Sequence, residues 1–426
     1  MTDRGPVLIS GMFDMDNYGD LLFPVVAGHR LGAQGYRIQP VAPSARRAAF
    51  ADALTPVDIE AMMTEETPIS GIVIGGGYII HANSLGFLDR YQDLGAWCGV
   101  GLWLGATLAA GLRDVPVVWN APGAPHPFTR RQGALVTAAL RAASYASVRD
   151  RGSHALLAPP EDIAMEIVPD PIVDLPKVWP KAGLAEDWRA LLARKGLTGG
   201  DPQILAVHLR DRSIAGLDRS AFGAALRALA DSEGLTPMLV AVGESHNDPA
   251  VARSLADAIG TPLLMLDDPL SLREITAAFA HSTLYVGASL HGYIVSSAYG
   301  VPGILVGRPR YNKFMGFLEH IDRTGDFAGD WDEAFRLAAA RRRSTSQRAI
   351  IPASVSTALD GHWRRILEAL DGPDRHSERR RDFALALLAA AIRGEGPGWA
   401  MDPILNNRMR FSAAPAASPR HDSALR

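Results

Sequence analysis

Thr283-Leu-Tyr-Val-Gly-Ala-Ser-Leu-His291-Gly-Tyr-Ile-Val-Ser-Ser-Ala-Tyr-Gly300-Val-Pro-Gly-Ile-Leu-Val306 places two short apolar runs on either side of a glycine-punctuated segment. The runs Thr283 to Val286 and Ile304 to Val306 read as buried strands, and the segment between them as a helix opening near His291. Strand, helix and strand in such close succession is the unit of a parallel sheet, and α/β proteins bind ligands where the strand hands over to the helix. A helix opening there offers free backbone N–H groups and the positive end of its dipole, and His291 adds a group that titrates near neutral pH. A histidine that merely caps the helix is the alternative at this point.

The same alternation extends outward in both directions. Val7 to Ser10, Tyr36 to Val41, the strand ending at Gly75-Gly-Gly77, Val115 to Trp119, Tyr145 to Val148 and Ile167 to Val168 read as strands of one half. Ile204 to Arg210, Thr236 to Gly243 and Leu263 to Leu266 open the other. Strands recurring with helical patterns between them predict an α/β fold with parallel, doubly wound sheets. A chain of 426 residues is long enough for two cores. The expected division is a first domain over 1–175, a Pro-, Lys- and Gly-rich linker over 176–200, a second domain over 201–345, C-terminal helices over 346–395 and a disordered tail over 396–426. In the helical region Trp363, Ile366, Leu367 and Leu370 share one apolar face, and Phe383 to Ile392 is strongly apolar.

Composition narrows the function. Hydrophobic residues at 47% and charged residues at 21% describe an ordinary globular protein. A net charge of -3 lacks the basic surplus of a nucleic-acid partner, so any anion site must be local. One cysteine, Cys98, cannot form an internal disulfide, and the first residues carry no signal-peptide core, so the cytoplasm is the expected compartment. Leu94 to Leu112 is uncharged over a length that could cross a bilayer, but strand-like runs on both sides favour a buried helix and leave peripheral membrane contact as the alternative. The histidines and the cysteine lack metal-ligand spacing, so no metal is expected. Neither a dinucleotide fingerprint, a P-loop nor a Gly-x-Ser-x-Gly elbow occurs.

Candidate ligand residues gather at the ends of the strands. Asn17 and Asp20 suit the start of the first helix, either as caps or as contacts to a ligand hydroxyl. Gly75, Gly76 and Gly77 allow close approach of backbone. Arg149 ends a strand, where it fits an anion or pairs with Asp150. His208 and Arg210 lie two apart at the end of a second-half strand. Glu244 to Asp248 forms a polar loop at the ligand edge, and Arg308, Arg310 and Lys313 follow the strand ending at Val306.

Taken in order, Asp16-Asn17-Tyr-Gly19-Asp20, Gly75-Gly-Gly77, Val115-Pro-Val-Val with Ala121-Pro-Gly, Ser147-Val-Arg149-Asp150 with Ser153, Asp170-Pro, and Leu290-His291-Gly292 with Gly300-Val-Pro302 resemble the polysaccharide pyruvyl transferase family, from about Ser10 to about Leu318. The resemblance implies two Rossmann-like domains facing across a cleft in a GT-B-like arrangement, with no cofactor or metal. It implies transfer of pyruvate from phosphoenolpyruvate to a hexose of an exopolysaccharide, or of its lipid-linked precursor at the inner face of the membrane, forming a ketal. By position, His291 matches the family's acid/base histidine, expected here as the general acid, and Arg149 an arginine of the phosphoenolpyruvate site. Gly19, Ser289, Leu290 and Gly292 lie in the matching motifs and join the expected binding set. Many members have arginine where this chain has Ser289, which leaves Arg210, Arg308 or Lys313 to supply the charge. A glycosyltransferase holding a nucleotide-sugar through Glu244 to Asp248 and a diverged, non-enzymatic saccharide-binding protein are the competing readings. The acceptor sugar and the oligomeric state are left open by these residues.

Overall fold

The computed structural model describes residues 4–85, 91, 94–197, 200, 202–244, 247–343 and 350–401. Val7–Ser10 (β1) reads VLIS and is buried along its whole length, the signature of a strand covered on both faces of a parallel sheet. It pairs with Ile38–Ala42 (β2), which pairs with Val57–Asp58 (β3). On its other side lie Gly71–Ile74 (β4) and then Val117–Trp119 (β5), giving a five-stranded parallel order β3-β2-β1-β4-β5. Ala146–Val148 (β6) and Met165–Ile167 (β7) form a small parallel pair, joined to β5 by a bridge from Val118 to Tyr145.

The second sheet repeats the plan. Ile204–His208 (β8), Thr236–Val240 (β9), Leu264–Leu266 (β10), Leu284–Gly287 (β11), Gly303–Val306 (β12) and Phe327–Ala328 (β13) stand in the order β10-β9-β8-β11-β12-β13. In each sheet the chain starts at an inner strand, winds one way and then crosses to the other side. The switch points therefore fall between β1 and β4, and between β8 and β11, where α/β sheets open a crevice at the carboxyl ends of their strands. The glycine turn after β4 and His291 after β11 both stand at such points.

The carboxyl edges of the two sheets meet. Tyr18 N–H donates to the Val242 carbonyl at 2.9 Å, and the Tyr18 hydroxyl lies 2.8 Å from Thr276 Oγ1. Asp52 accepts from the backbone N–H groups of Leu272, at 2.7 Å, and Arg273, at 3.0 Å. Both sheets belong to one compact unit, Met1–Ala384, and Leu385–Arg426 forms a second.

Several expectations change in detail. The stretch 176–200 is not a plain linker: it carries helix Ala185–Arg194, whose Trp188 stacks on His281 at 5.8 Å and whose Arg194 pairs with Glu274 at 2.6 Å. The apolar stretch 94–112 becomes a helix from Cys98 to Arg113 with a π turn over Gly101–Gly105, where the Leu102 carbonyl accepts from Ser10 Oγ at 2.7 Å. Among the described residues no helix is long and apolar enough to cross a membrane. Helix Ala353–Asp371 buries Trp363 and Ile366 as its pattern predicts, and returns to the first half, where His362 Nε2 meets Asn120 Oδ1 at 2.8 Å. Helix Ser377–Glu395 follows; the tail expected to be disordered over 396–426 begins instead with a short helix, Gly398–Met401, and its remainder, 402–426, lies outside the described residues.

Gly243, at φ +130°, lies so close to the Asp16 carbonyl that a Cβ would overlap it. Gly243→Ala is expected to lower the melting temperature more than Gly300→Ala, which has positive φ but open space around it. Gly300→Ala should cost about 1–2 kcal/mol from backbone strain alone, and Gly243→Ala roughly 1–3 kcal/mol more from overpacking. Equal thermal shifts in the two variants would contradict the close contact.

Candidate active site

The loop after β1 is fixed by the segment that follows β2. Asp14 accepts from Ser44 N–H and Oγ at 3.0 and 2.6 Å, and Asp16 accepts from Ala49 N–H at 2.6 Å. Asn17 holds the N-cap position of helix Tyr18–Gly32 but its side chain does not cap; Nδ2 donates to Asp20 Oδ2 at 2.5 Å instead. Across from it, Gly75 N–H donates to the Ser10 carbonyl at 2.8 Å, and Gly76 lies flat against the Phe23 ring. Gly77, at φ +85°, presents its Cα to Asp20: a Cβ there would stand 3.0 Å from Asp20 Oδ1. The three glycines thus let β4 end against the first helix without a side chain between them.

From the second half, Ser289 caps helix Leu290–Ala298 by accepting from Gly292 N–H at 3.2 Å. This sets His291 on the first turn, its ring against Gly19 and edge-on to Phe23 at 5.8 Å. A Cβ on Gly19 would overlap the imidazole. His291 Nε2 stands 4.0 Å from Asp170 Oδ2, with 12% of the side chain accessible.

Arg149 links these groups. Only 4% of its side chain is accessible; Nη1 lies 3.6 Å from Asp170 Oδ2 and Nε 3.7 Å from Asp150 Oδ2. Its guanidinium stacks over Tyr78 at 4.3 Å, and Lys313 Nζ lies 5.2 Å from the centre of the same ring. The two aspartates are held by their own backbones: Asp150 accepts from Ser153 N–H at 2.6 Å and Asp170 from Ile172 N–H at 3.1 Å. His320 Nε2 meets the Arg149 carbonyl at 2.9 Å.

Among the described residues, Arg149 Nε, Asp150 Oδ2, Asp170 Oδ2, Arg210 Nε and His291 Nε2 are buried without a hydrogen-bond partner in the protein. Buried polar atoms are nearly always paired, so such a concentration at one place marks a ligand site. Its electrostatics are distinctive. Burial, and then the charges of Arg149, Lys313 and Arg210, push His291 well below its ordinary value. Burial raises Asp20 to about 6 against the opposing pull of Lys313, Arg149, Asn17 and Arg210. Burial also raises Asp170. Lys313 is lowered to about 7 by burial and by Arg210 and Arg149. Charges in a half-buried site of this kind are tuned by one another rather than by water.

Asn17, Gly19, Asp20, Gly75, Gly76, Gly77, Arg149, Arg210, His291 and Lys313 are thus assembled at one place. Others lie elsewhere. His208 is fully buried at the end of β8, its Nε2 3.0 Å from Asp248 Oδ2 and its Nδ1 without a hydrogen-bond partner among the described residues. Arg308 donates to the Ala215 carbonyl, and Arg310 lies over Phe327 at 5.4 Å, away from the site. Ser289, Leu290 and Gly292 are buried in the helix opening. Within the polar loop, Ser245 and His246 lie outside the described residues, and Asp248 is engaged with His208. Tyr78 went unread, although it directly follows the glycine turn that aims it. The role of Asp170 in facing Arg149 also went unread, because its partners come from distant loops.

The cations around His291 set a titration experiment. The His291 ring should remain neutral well below pH 6.5, the ordinary histidine value. Lys313→Met removes a positive charge that disfavours the imidazolium, so the His291 pKa should rise, read from its ring resonances by NMR. An unchanged or lower value would contradict the arrangement.

Solved structures similar to this fold include the UDP-GlcNAc 2-epimerase of Methanocaldococcus jannaschii, at 11% identity and a TM-score of 0.55, covering 85% of this chain and 99% of that one. The same organism's enzyme in complex with UDP-GlcNAc and UDP aligns at 12% identity and a TM-score of 0.52, covering 85% and 99%. MnaA of S. aureus, in a structure with UDP, aligns at 10% identity and a TM-score of 0.50, covering 87% and 99%. At such identities the likeness concerns the fold, which is GT-B-like. A search of curated protein sequences returned no match. The family model described as polysaccharide pyruvyl transferase matches residues 17–309, a span that runs from Asn17 through Arg149 and Asp170 to His291 and beyond. The chain therefore belongs to the polysaccharide pyruvyl transferase family.

Proposed function

We propose that the protein transfers pyruvate from phosphoenolpyruvate to a hexose of an exopolysaccharide, or of its lipid-linked precursor at the cytoplasmic face of the membrane, forming a ketal and releasing phosphate. The observation that carries this reading is the set of unpaired buried atoms, Arg149 Nε, Arg210 Nε and His291 Nε2, gathered beside a lysine at the meeting edge of two sheets. Phosphoenolpyruvate carries a phosphate and a carboxylate, and two guanidinium groups with an ammonium match both anions. Ser289, spent on its helix, leaves the charge to Arg210 and Lys313, which come from other segments.

The close fit of the halves favours a small donor over a nucleotide-sugar. Tyr18 is bonded directly to Val242, Gly243 lies against Asp16, and Asp248, one of the two carboxylates in the loop expected to hold a ribose, already holds His208. Asn17 and Asp20 then serve the acceptor, with Asp20 near its titration point and able to accept a proton from a sugar hydroxyl.

His291 takes a role that differs from general acid alone. Burial, and then the surrounding cations, favour the neutral imidazole in the free protein, so it accepts a proton from the attacking hydroxyl first. Anionic donor bound on those cations screens them and lets the ring hold the proton it has taken.

Phosphate release and ketal product, followed by NMR with phosphoenolpyruvate and a panel of methyl hexopyranosides, test the reading. His291→Ala should lower turnover roughly 10²- to 10⁴-fold, and Arg149→Met should chiefly weaken phosphoenolpyruvate binding. Calorimetry showing tight UDP or GDP binding and no phosphoenolpyruvate signal would sink it.

A further inference from the structure

Ketal formation requires a proton on the methylene carbon of the donor, and the group that gives it must carry that proton when the donor arrives. Burial, and then Arg149, Lys313 and Arg210, disfavour a proton on His291. The guanidinium groups of Arg149 and Arg210 do not release protons in proteins. Asp20 is bonded to Asn17 on the acceptor side, and Asp170 faces Arg149. Lys313 remains, and its placement is specific. It lies in the first turn of helix Asn312–His320, with Nζ 5.2, 5.3 and 5.9 Å from the ring centres of Tyr78, Tyr311 and Phe314. Among the described residues no carboxylate comes within 4.0 Å of Nζ, whereas Arg149 has two that close. Both cations lie against the Tyr78 ring, and the Arg149 charge acts on the lysine, so the two belong to one pocket.

We propose that Lys313, and not His291, is the catalytic acid that protonates the methylene carbon of phosphoenolpyruvate, an inference that rests on the pyruvyl-transfer reading. Nζ–H gives its proton to the methylene carbon as the double bond breaks, and the first sugar oxygen bonds to the neighbouring carbon, its proton passing to His291. The carbon–oxygen bond to phosphate then breaks, the second sugar oxygen takes its place, and its proton leaves with the phosphate. The proton held by His291 returns through solvent to Lys313, so one hydroxyl proton ends on the methyl group and the other on phosphate.

The charged and titratable groups acting on the lysine bring it close to neutral pH. Burial, Arg210 and Arg149 push Lys313 down to about 7, while Asp20 and Asp170 oppose them. The rings of Tyr78 and Tyr311 lie against it and favour the cation. An ammonium at that point holds a proton and yields it readily.

The test compares wild type, Lys313→Arg and Lys313→Met, with phosphoenolpyruvate binding by calorimetry and phosphate release against pH using methyl hexopyranosides, with water as the background acceptor. Lys313→Arg keeps the charge and should bind phosphoenolpyruvate within a few-fold of wild type. Its phosphate release should fall by about 100-fold or more, and the wild-type loss of activity as pH rises through about 7 should disappear. Lys313→Met should lose binding as well, and melting temperatures identify any variant that fails to fold. Lys313→Arg turning over within about fivefold of wild type, with the alkaline limb in place, would overturn the proton-donor role alone. A wild type that binds phosphoenolpyruvate yet releases no phosphate with any acceptor would overturn the functional reading, and this inference with it.

Discussion

The hydrogen bond from Tyr18 N–H to the Val242 carbonyl, 2.9 Å long, joins the carboxyl edge of one sheet to that of the other. The arrangement of the site depends on it. Tyr18 opens the first helix, so the bond fixes where Gly19 and Asp20 stand relative to the second half. Gly19 then receives the His291 ring, and Gly243 receives the Asp16 carbonyl, each at a distance that no Cβ would permit. Two glycines thus allow the two sheets to approach until a histidine from one lies against backbone from the other. Overlap on this scale cannot relax locally in a close-packed interior.

This closeness also explains the electrostatics. Arg149, Arg210 and Lys313 come from three separate segments and repel one another, and Asp20, Asp150 and Asp170 lie among them. Three cations and three carboxylates leave little net charge, yet their pairing is loose: the separations around Arg149 are 3.6 and 3.7 Å. A group so surrounded responds strongly when an anion enters, because the new charge changes every neighbour's preferred protonation. Poise of this sort suits proton transfer better than tight ion pairs would.

Much of this was legible in the sequence, and the reason differs from residue to residue. The buried strands β1, β8 and β11 are unbroken apolar runs, so they were readable, as was the helix after His291. The two-residue strands β3 and β13 carry no periodicity and were not. Arg149, Asp20 and His291 stand at strand-to-helix junctions, positions that pattern alone identifies. His208 was misplaced because alternation along a strand assigns a face without saying whether that face is covered, and here Asp248 covers it. Tyr78 is the converse: nothing in its own sequence setting indicates that two cations from remote segments share its ring.

Helix Ala353–Asp371 has a consequence for how the chain matures. Its Leu370 lies against Gly71 at the start of β4, Asp371 accepts from the Tyr36 hydroxyl at 2.7 Å, and His362 completes the surroundings of Asn120 and Tyr145. The first sheet is synthesised early, but part of its covering arrives only after the whole second sheet has been made. Domains that close on their own residues can finish folding as they leave the ribosome. Here the first half stays incompletely covered until the last of the second has emerged, which makes the two halves one folding unit in time as well as in space.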